Sequence, residues 1–458
     1  MTQQELELQE NFLNRDTEKN QLNNNNKQIL NEEVEYQIGR EKVFKLSIAF
    51  MTLFIAYGSC TSLISGLYKT LNFTNLGLMS LFSTYFTFAF ASFVAKGIIQ
   101  KFSFRVVFTI SNLGYTACIA AGIWVFMCQG SEQQGLCSIE AIYSIVNLTA
   151  ALCGICASTL WVAQGGYVDI ISSTCPSKRG VLIGQFFSFM SASNIIGYIL
   201  ASILLNFFGN MSYFLLNSIL SLVSAYMMYV LPDPYSPNYQ SQNDMRGKQQ
   251  IKPLKEQIKE VLVLLKNIKA LYLIPYYWLQ GVVLGCYASY IFVVVKYSLN
   301  EEQAQYAPQY VSYVVIFLGL SGVICGIVVG KLADKYNLLI LAIGATLLVA
   351  TAILFSLLGL VVKEYALCFV IAILWGCCDS TNASLSVIIA SKDFPGQLQM
   401  FSLQKLANSL GCSFALIMGI LLQSYPPYSI LFIVFFFQII STICLAVLLS
   451  LKNSENKA

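Results

Sequence analysis

The chain contains no histidine, and only 11% of its 458 residues are charged. Without an imidazole it has no histidine proton relay and no histidine ligand for a metal. The scarcity of charge, beside 56% hydrophobic residues, excludes a soluble protein of this length. Phosphate-binding loops and paired carboxylates within one exposed segment are missing too. The sequence therefore predicts a protein that is not an enzyme, holds no cofactor or metal and binds no nucleic acid.

Cysteine is abundant, with 14 residues, but nearly all of them lie inside apolar stretches. There a cysteine behaves as a small hydrophobic residue, so no disulfide scaffold is expected. Cys128 and Cys137 are the exception, because they bracket the polar loop 129–136. They can form a disulfide if that loop lies outside the cytosol.

About twelve apolar stretches of membrane-spanning length occur between Leu46 and Leu449, six on each side of a polar interruption. Hydrocarbon offers the backbone no hydrogen-bond partner, so each stretch must be a helix. The predicted fold is an all-α membrane protein of twelve transmembrane helices in two six-helix halves. The expected spans are 44–67, 76–96, 104–127, 139–163, 181–206, 211–231, 271–295, 309–330, 338–362, 366–390, 400–423 and 428–450.

Five regions follow from this pattern. They are a disordered cytosolic tail over 1–43, a first half over 44–231, a central loop over 232–270, a second half over 271–450 and a cytosolic tail over 451–458. The loop begins as a flexible linker up to residue 250. Beyond Pro253, apolar residues recur at helical spacing with lysines between them, which predicts an amphipathic helix. It is either a lipid or calmodulin-type site or an ordinary lead-in to the seventh span.

Lysine and arginine fall mainly on one side of the predicted bundle, which orients it with both termini in the cytosol. Only Lys69, Lys296 and Lys363 fall on the outer side. The cytosolic side receives the others that the partition assigns: Arg40, Lys42, Lys45, Lys96, Lys101, Arg105, Lys178, Arg179, Arg246, Lys248, Lys252, Lys255, Lys259, Lys266, Lys269, Lys331, Lys335, Lys392, Lys452 and Lys457. The bias does not distinguish the plasma membrane from an internal one.

One carboxylate, Asp379, lies near the middle of the tenth span, between Trp375 and Asn382. A charge at that depth costs about 2.5–3.5 kcal/mol on insertion scales, so Asp379 is expected to face the bundle interior or water. Three interpretations remain: coupling to a cation or proton, contact with a substrate, and a structural hydrogen bond. Asp169 and Glu140, at the two ends of the fourth span, are interpreted as helix-end residues.

A second group of candidate cavity residues lies in the fourth and fifth spans. Trp161, Gln164 and Tyr167 come late in the fourth span, and Asn194 lies in the fifth. The two amide side chains are the costliest to leave unpaired. They either line a cavity or bond across helices.

The segment from Gly330 to Lys335, with Asp334 before the final lysine, resembles the loop signature of the major facilitator superfamily. A carboxylate at such a turn can face a helix N-terminus and a basic residue, and so latch one half until rocking breaks the contact. The corresponding loop after the second span keeps Gly97 and Lys101 but has Gln100 where that superfamily has aspartate. This departure weakens the case for an ordinary gated transporter.

Further segments resemble the UNC (uncoordinated-ninety-three) group, a divergent branch of the major facilitators known as ion-channel regulatory proteins. They are the run from Trp161 to Tyr167, the run from Gly184 to Gly197 and the run from Trp375 to Asp379. The chain departs from the group's pattern at Gly166, where serine is expected, and at Asn382. The resemblance covers most of 44–450 and implies a regulator or trafficking partner of an ion channel or receptor.

The runner-up function is a secondary active transporter of a small solute, coupled through Asp379. The expected partners are the lipid bilayer with either a channel or receptor subunit or a small solute. Asn72 lies in an Asn-x-Thr sequon of a short outer loop and is a candidate glycosylation site.

Overall fold

The structure, a computed structural model, describes residues 3–69, 71–73, 75–129, 134–235, 253–304, 307–422 and 425–455. Most of these residues are helical. In chain order the helices are α1 Gln3–Lys69, α2 Leu76–Lys101, α3 Phe104–Met127, α4 Ile139–Ser173, α5 Arg179–Phe207, α6 Gly209–Tyr229, α7 Leu254–Val263, α8 Ile268–Ser298, α9 Glu301–Ala304, α10 Ala307–Lys335, α11 Leu338–Val362, α12 Tyr365–Asp393, α13 Leu398–Leu421 and α14 Tyr428–Glu455.

Among the described residues, eleven helices are long and apolar enough to cross a membrane. The 31-residue helix α8 supplies the twelfth spanning element. The spanning helices are α1–α6 of the first half, and α8 with α10–α14 of the second. The predicted fold, twelve helices in two halves, is therefore confirmed.

Several helices begin at side chains that bind their first free amides. Asn267 precedes α8, and its Oδ1 accepts from the Lys269 amide at 2.9 Å. Ser138 and Asn337 act in the same way ahead of α4 and α11. Such caps satisfy donors that have no partner within the helix. They explain why α4, α8 and α11 begin where they do.

The helices extend past three predicted boundaries. Helix α1 begins at Gln3, within the segment 1–43 that the sequence predicts as a cytosolic tail, and Gly39 lies buried against Ile171 of α4. The tail over 451–458 is helical as far as Glu455. Helix α4 continues to Ser173 rather than ending near 163. Helix α4 extends past its apolar stretch because packing against neighbouring helices adds to local propensity. The linker segment 236–252 lies outside the described residues.

Two helix pairs join the halves: α5 packs on α10, and α2 packs on α13. The fifth spanning helix of the chain therefore packs on the eighth, and the second packs on the eleventh. Glycine allows the closest approach between α5 and α10. A methyl group on Gly184 would lie 2.5 Å from the Gly326 oxygen and 2.8 Å from Gly330 Cα. Small residues at this spacing hold the two backbones together.

The amphipathic helix α7 lies at the side of the bundle where α2, α4, α10 and α12 end, and this side is called the α7 face below. It packs against α2 of the first half and α13 of the second. It ends at Val263, and a short 3₁₀ turn over Leu264–Lys266 leads to α8.

Candidate functional site

A cavity of about 210 Å³ lies between the two halves. Helices α1, α2, α3, α4 and α5 line it from the first half, and α8, α10, α12 and α13 from the second. Aromatic side chains form much of the first-half wall. Phe54 packs edge-on against Trp161 at 5.4 Å between ring centroids, and Tyr57 packs against Tyr115 at 4.6 Å. The result is a chamber with a rigid apolar wall.

Asp379 of α12 lines this cavity. The Tyr287 hydroxyl of α8 donates to its Oδ2 at 3.3 Å. No ion pair joins Asp379 to a basic side chain in the part of the chain that the structure describes. The carboxylate therefore faces the cavity, and one long hydrogen bond holds it in the described chain, which leaves it able to bind a proton, a cation or a solute.

A second charge in the cavity, Lys405 of α13, was missed by the sequence analysis. The residue is 5% exposed, and its Nζ lies 4.7 Å from the centroid of the Trp161 ring of α4. This cation–π contact joins the second half to the first. The partition of basic residues had left Lys405 on neither side. A lone lysine inside an apolar stretch is itself the signal that could have identified it.

Polar atoms without partners surround the two charges. Gln280, Ser380 and Asn408 line the cavity, and their atoms Oε1, Oγ and Nδ2 are buried and have no hydrogen-bond partner among the described residues. Asn194 also lines the cavity. Buried polar groups are normally satisfied, so three unpaired atoms at one chamber indicate a site for a polar ligand.

Four predicted cavity residues lie outside the lining, and that part of the prediction is corrected. Trp375 Nε1 donates to Ser356 Oγ at 3.0 Å, within the second half. Tyr167 donates to the Pro232 carbonyl at 2.8 Å. Asn382 donates to the carbonyl of Cys378, one turn earlier on its own helix. Gln164 is fully buried, and neither of its amide atoms has a hydrogen-bond partner within the described chain. Their helices carry these side chains on faces turned into packing interfaces, so only Asp379, Trp161 and Asn194 of the predicted set reach the chamber.

The predicted loop motif closes the α7 face through Asp334. Its Oδ1 accepts from the Gly180 amide at 2.7 Å, and its Oδ2 accepts from the Val181 amide at 3.0 Å. Lys392 Nζ lies 3.3 Å from the same carboxylate. A second-half carboxylate thus caps the positive N-terminus of first-half helix α5. Gly330 lies in the α5–α10 contact, whereas Lys335 is exposed at the end of α10.

Asp169 makes a second connection across the α7 face. Its Oδ1 accepts a hydrogen bond from Ser391 Oγ, and its Oδ2 accepts from the Gly396 amide at 3.1 Å. Arg179 adds a bond from Nη1 to the Ser391 carbonyl at 2.7 Å. Asp169 and Arg179 belong to the first half, whereas Ser391 and Gly396 belong to the second. Asp169 therefore joins the two halves and is not only a helix-end residue.

Helix α7 supplies a carboxylate near the loop where Gln100 replaces the expected aspartate. Glu260 Oε2 accepts from Lys96 Nζ of α2 at 2.6 Å and from Gln399 Nε2 of α13 at 3.2 Å. The glycine of that loop, Gly97, lies directly against Gln257 of α7. One residue of α7 therefore bonds both halves.

Two predicted features lie on the side opposite the α7 face. Cys128 and Cys137 are joined by a disulfide, with Cα atoms 5.3 Å apart. Asn72 is exposed in the turn between α1 and α2 and has a φ of +68°, a conformation that asparagine tolerates well. The sequon's threonine lies outside the described residues. Among the described residues, no cluster of three metal-binding side chains occurs.

The chain is similar to known proteins in sequence and in fold. The sequence profile of the Major Facilitator Superfamily matches residues 46–415. UNC93-like protein 3 of Arabidopsis thaliana is 24% identical over 168 residues, which is 35% of this chain and 32% of that protein, so the match spans about a third of the relative's length. The proton:xylose symporter XylE, solved with 6-bromo-6-deoxy-D-glucose, aligns over 88% of this chain and 95% of its own with a TM-score of 0.62. At 15% identity, that last likeness concerns the fold alone.

Proposed function

The chain belongs to the major facilitator superfamily, and from this premise we propose that it is a secondary transporter of a small polar solute. The similarity to an UNC93-like protein confirms the resemblance to that divergent branch. The observation that carries the proposal is the cavity between the halves, because it holds two unpaired charges and three unpartnered polar atoms. A scaffold that only docked partners would be expected to fill such a chamber with apolar side chains.

In this proposal the α7 face is cytosolic, with both termini on the same side, as the placement of lysine and arginine favours. The contacts of Asp334 and Asp169 hold that face closed. They are hydrogen bonds to helix ends and loop amides, which rocking of one half against the other can break and remake. Asp379 is the coupling residue, since its charge changes when it binds a proton or cation within the low-dielectric bundle.

The first prediction concerns solute uptake. Purified protein in liposomes under an inward proton or sodium gradient is expected to accumulate at least one member of a radiolabelled panel of sugars, amino acids and carboxylates. Asp379→Asn should abolish gradient-driven accumulation, because an amide cannot change charge. Glu140→Gln, at an exposed helix start, is the matched control and should retain uptake. Failure of the unsubstituted protein to accumulate any member contradicts the proposal.

A second candidate function is regulation or trafficking of an ion channel or receptor. It is supported by the similarity to UNC93-like protein 3 and by Gln100, which replaces the expected aspartate in the loop after the second span. In this case the cavity would stabilise the fold or bind a regulatory ligand. Co-purification of a channel or receptor subunit, together with absence of solute uptake, would favour the regulator over the transporter.

A further inference from the structure

The two charges in the cavity lie at different depths. Lys405 follows Leu398, the first residue of α13, by seven positions, and Asp379 precedes Asp393, the last residue of α12, by 14 positions. Both helix ends lie at the α7 face. At a rise of about 1.5 Å per residue, Lys405 is about 10 Å and Asp379 about 21 Å from that face. Their separation along the bundle explains why they form no ion pair.

Lys405 is therefore buried without an anionic partner in the part of the chain that the structure describes. Its contact with Trp161 lowers the cost of burying the ammonium group but does not neutralise it. Asn408 lies one turn further along α13, on the same helix face, and its Nδ2 has no acceptor. Both side chains are more than nine-tenths buried and line the cavity. Two adjacent donors without an acceptor are suited to a carboxylate.

We propose that the cavity binds a small organic monocarboxylate, with its carboxylate between Lys405 Nζ and Asn408 Nδ2 and its carbon skeleton against Trp161 and Phe54. The proposal rests on the proposed transport function and names its substrate class. The volume of about 210 Å³ is below the range for drug-sized ligands, so the anion must be small. Among the described residues of the lining, Lys405 is the one basic side chain, which favours a monoanion over a phosphate ester or a dicarboxylate.

Charge balance then assigns a proton to Asp379. The empty cavity carries one positive and one negative charge, and the bound monocarboxylate adds a second negative charge. Protonation of Asp379 restores a net charge of zero, so the loaded and empty forms can both pass through a closed, low-dielectric intermediate. A sodium ion needs several oxygen ligands, whereas one hydroxyl, that of Tyr287, bonds to Asp379 in the described chain. The other titratable cavity groups are Tyr57, Tyr85, Tyr115, Tyr198 and Cys412.

Binding is tested with matched pairs of probes: butyrate with butyramide, lactate with lactamide, and benzoate with benzamide. Each acid and its amide share a shape and differ in charge. At least one carboxylate is expected to raise the melting temperature of the purified protein and change the fluorescence of Trp161, while its amide does neither. The variant Trp161→Phe should lose the fluorescence change, which assigns the change to Trp161. If no carboxylate acts, or if an amide acts equally, the proposal is overturned.

Substitutions of Lys405 test where the carboxylate binds. Lys405→Met should weaken carboxylate binding about 10- to 100-fold, the usual loss for a hydrogen bond to a charged group. Lys405→Arg keeps the charge and should retain most of the affinity. Lys101→Met, which removes an exposed lysine, is the control and should bind as the unsubstituted protein does. Unchanged affinity in Lys405→Met contradicts the assignment.

Proteoliposomes with an internal pH dye test coupling. Addition of the bound carboxylate should acidify the interior faster than in protein-free vesicles, and valinomycin with potassium should not alter the rate if transport is electroneutral. If the protein instead takes up a neutral solute, the transport function is supported and the carboxylate site is wrong. If a carboxylate binds but no solute is taken up, the carboxylate site is supported and the transport function is wrong.

Discussion

At the residue scale, the cavity contains one acidic and one basic side chain, and the acidic one is the easier to recognise from the sequence. Asp379 was recognised because an acidic residue in the middle of an apolar span has few explanations. Lys405 has the same signature but lies only seven residues inside α13, where a lysine is readily read as an interfacial residue. Its depth and its contact with Trp161 depend on how the two halves meet, and a single sequence contains no information about that.

Gln164 offers a residue-scale prediction about stability. Both of its amide atoms are buried without partners, which costs about 1–3 kcal/mol. Gln164→Leu is therefore expected to raise the melting temperature of the detergent-solubilised protein. Gln438→Leu is the matched control and should lower it, because Gln438 Nε2 donates to Thr442 Oγ1 at 3.1 Å. A loss of stability in Gln164→Leu would mean that the amide has a partner in solution, and the account of Gln164 would be wrong.

At the element scale, helix α7 has a structural role that its amphipathic pattern alone does not reveal. The pattern predicts a helix at the membrane surface, and α7 does have Leu254 and Leu262 exposed. Its Glu260, however, joins α2 to α13. The long helices were predictable from apolar length, but their ends were not, since α1 and α4 extend into polar sequence where tertiary packing supports them.

Loss of the Glu260 contacts should release α7. Glu260→Gln removes the ion pair with Lys96, whose partly buried geometry is worth about 1 kcal/mol. Deuterium exchange in the segment 254–263 is expected to rise about fivefold, while exchange in α5 stays unchanged. Glu256→Gln, at an exposed position in the first turn of α7, should leave exchange as it is. Equal exchange in the two variants would show that Glu260 does not hold α7 in place.

At the scale of the whole molecule, the two halves enclose a cavity in which Gln280 Oε1, Ser380 Oγ and Asn408 Nδ2 have no hydrogen-bond partner among the described residues. The halves meet at the α7 face through Asp334 and Asp169. The six-plus-six pattern of apolar stretches was sufficient to predict the halves, and the loop motif from Gly330 to Lys335 indicated the superfamily. It could not predict the closed α7 face, because bonds such as that between Asp169 and Gly396 join residues more than two hundred positions apart. In a transporter these bonds must break and reform as the cavity between the two halves opens to one side of the membrane and then to the other.

A distance measurement across the α7 face tests this requirement most directly. Spin labels at Ser173 and Tyr336, both exposed and in different halves, report the gap between the halves in a background whose reactive native cysteines are replaced. Asp334→Asn weakens the cap on α5, and we expect it to add a population at longer distance, as should a bound carboxylate at low pH. Lys335→Gln should leave the distribution unchanged. A single short distance in all of these states would contradict alternating access and leave the bundle as a static scaffold.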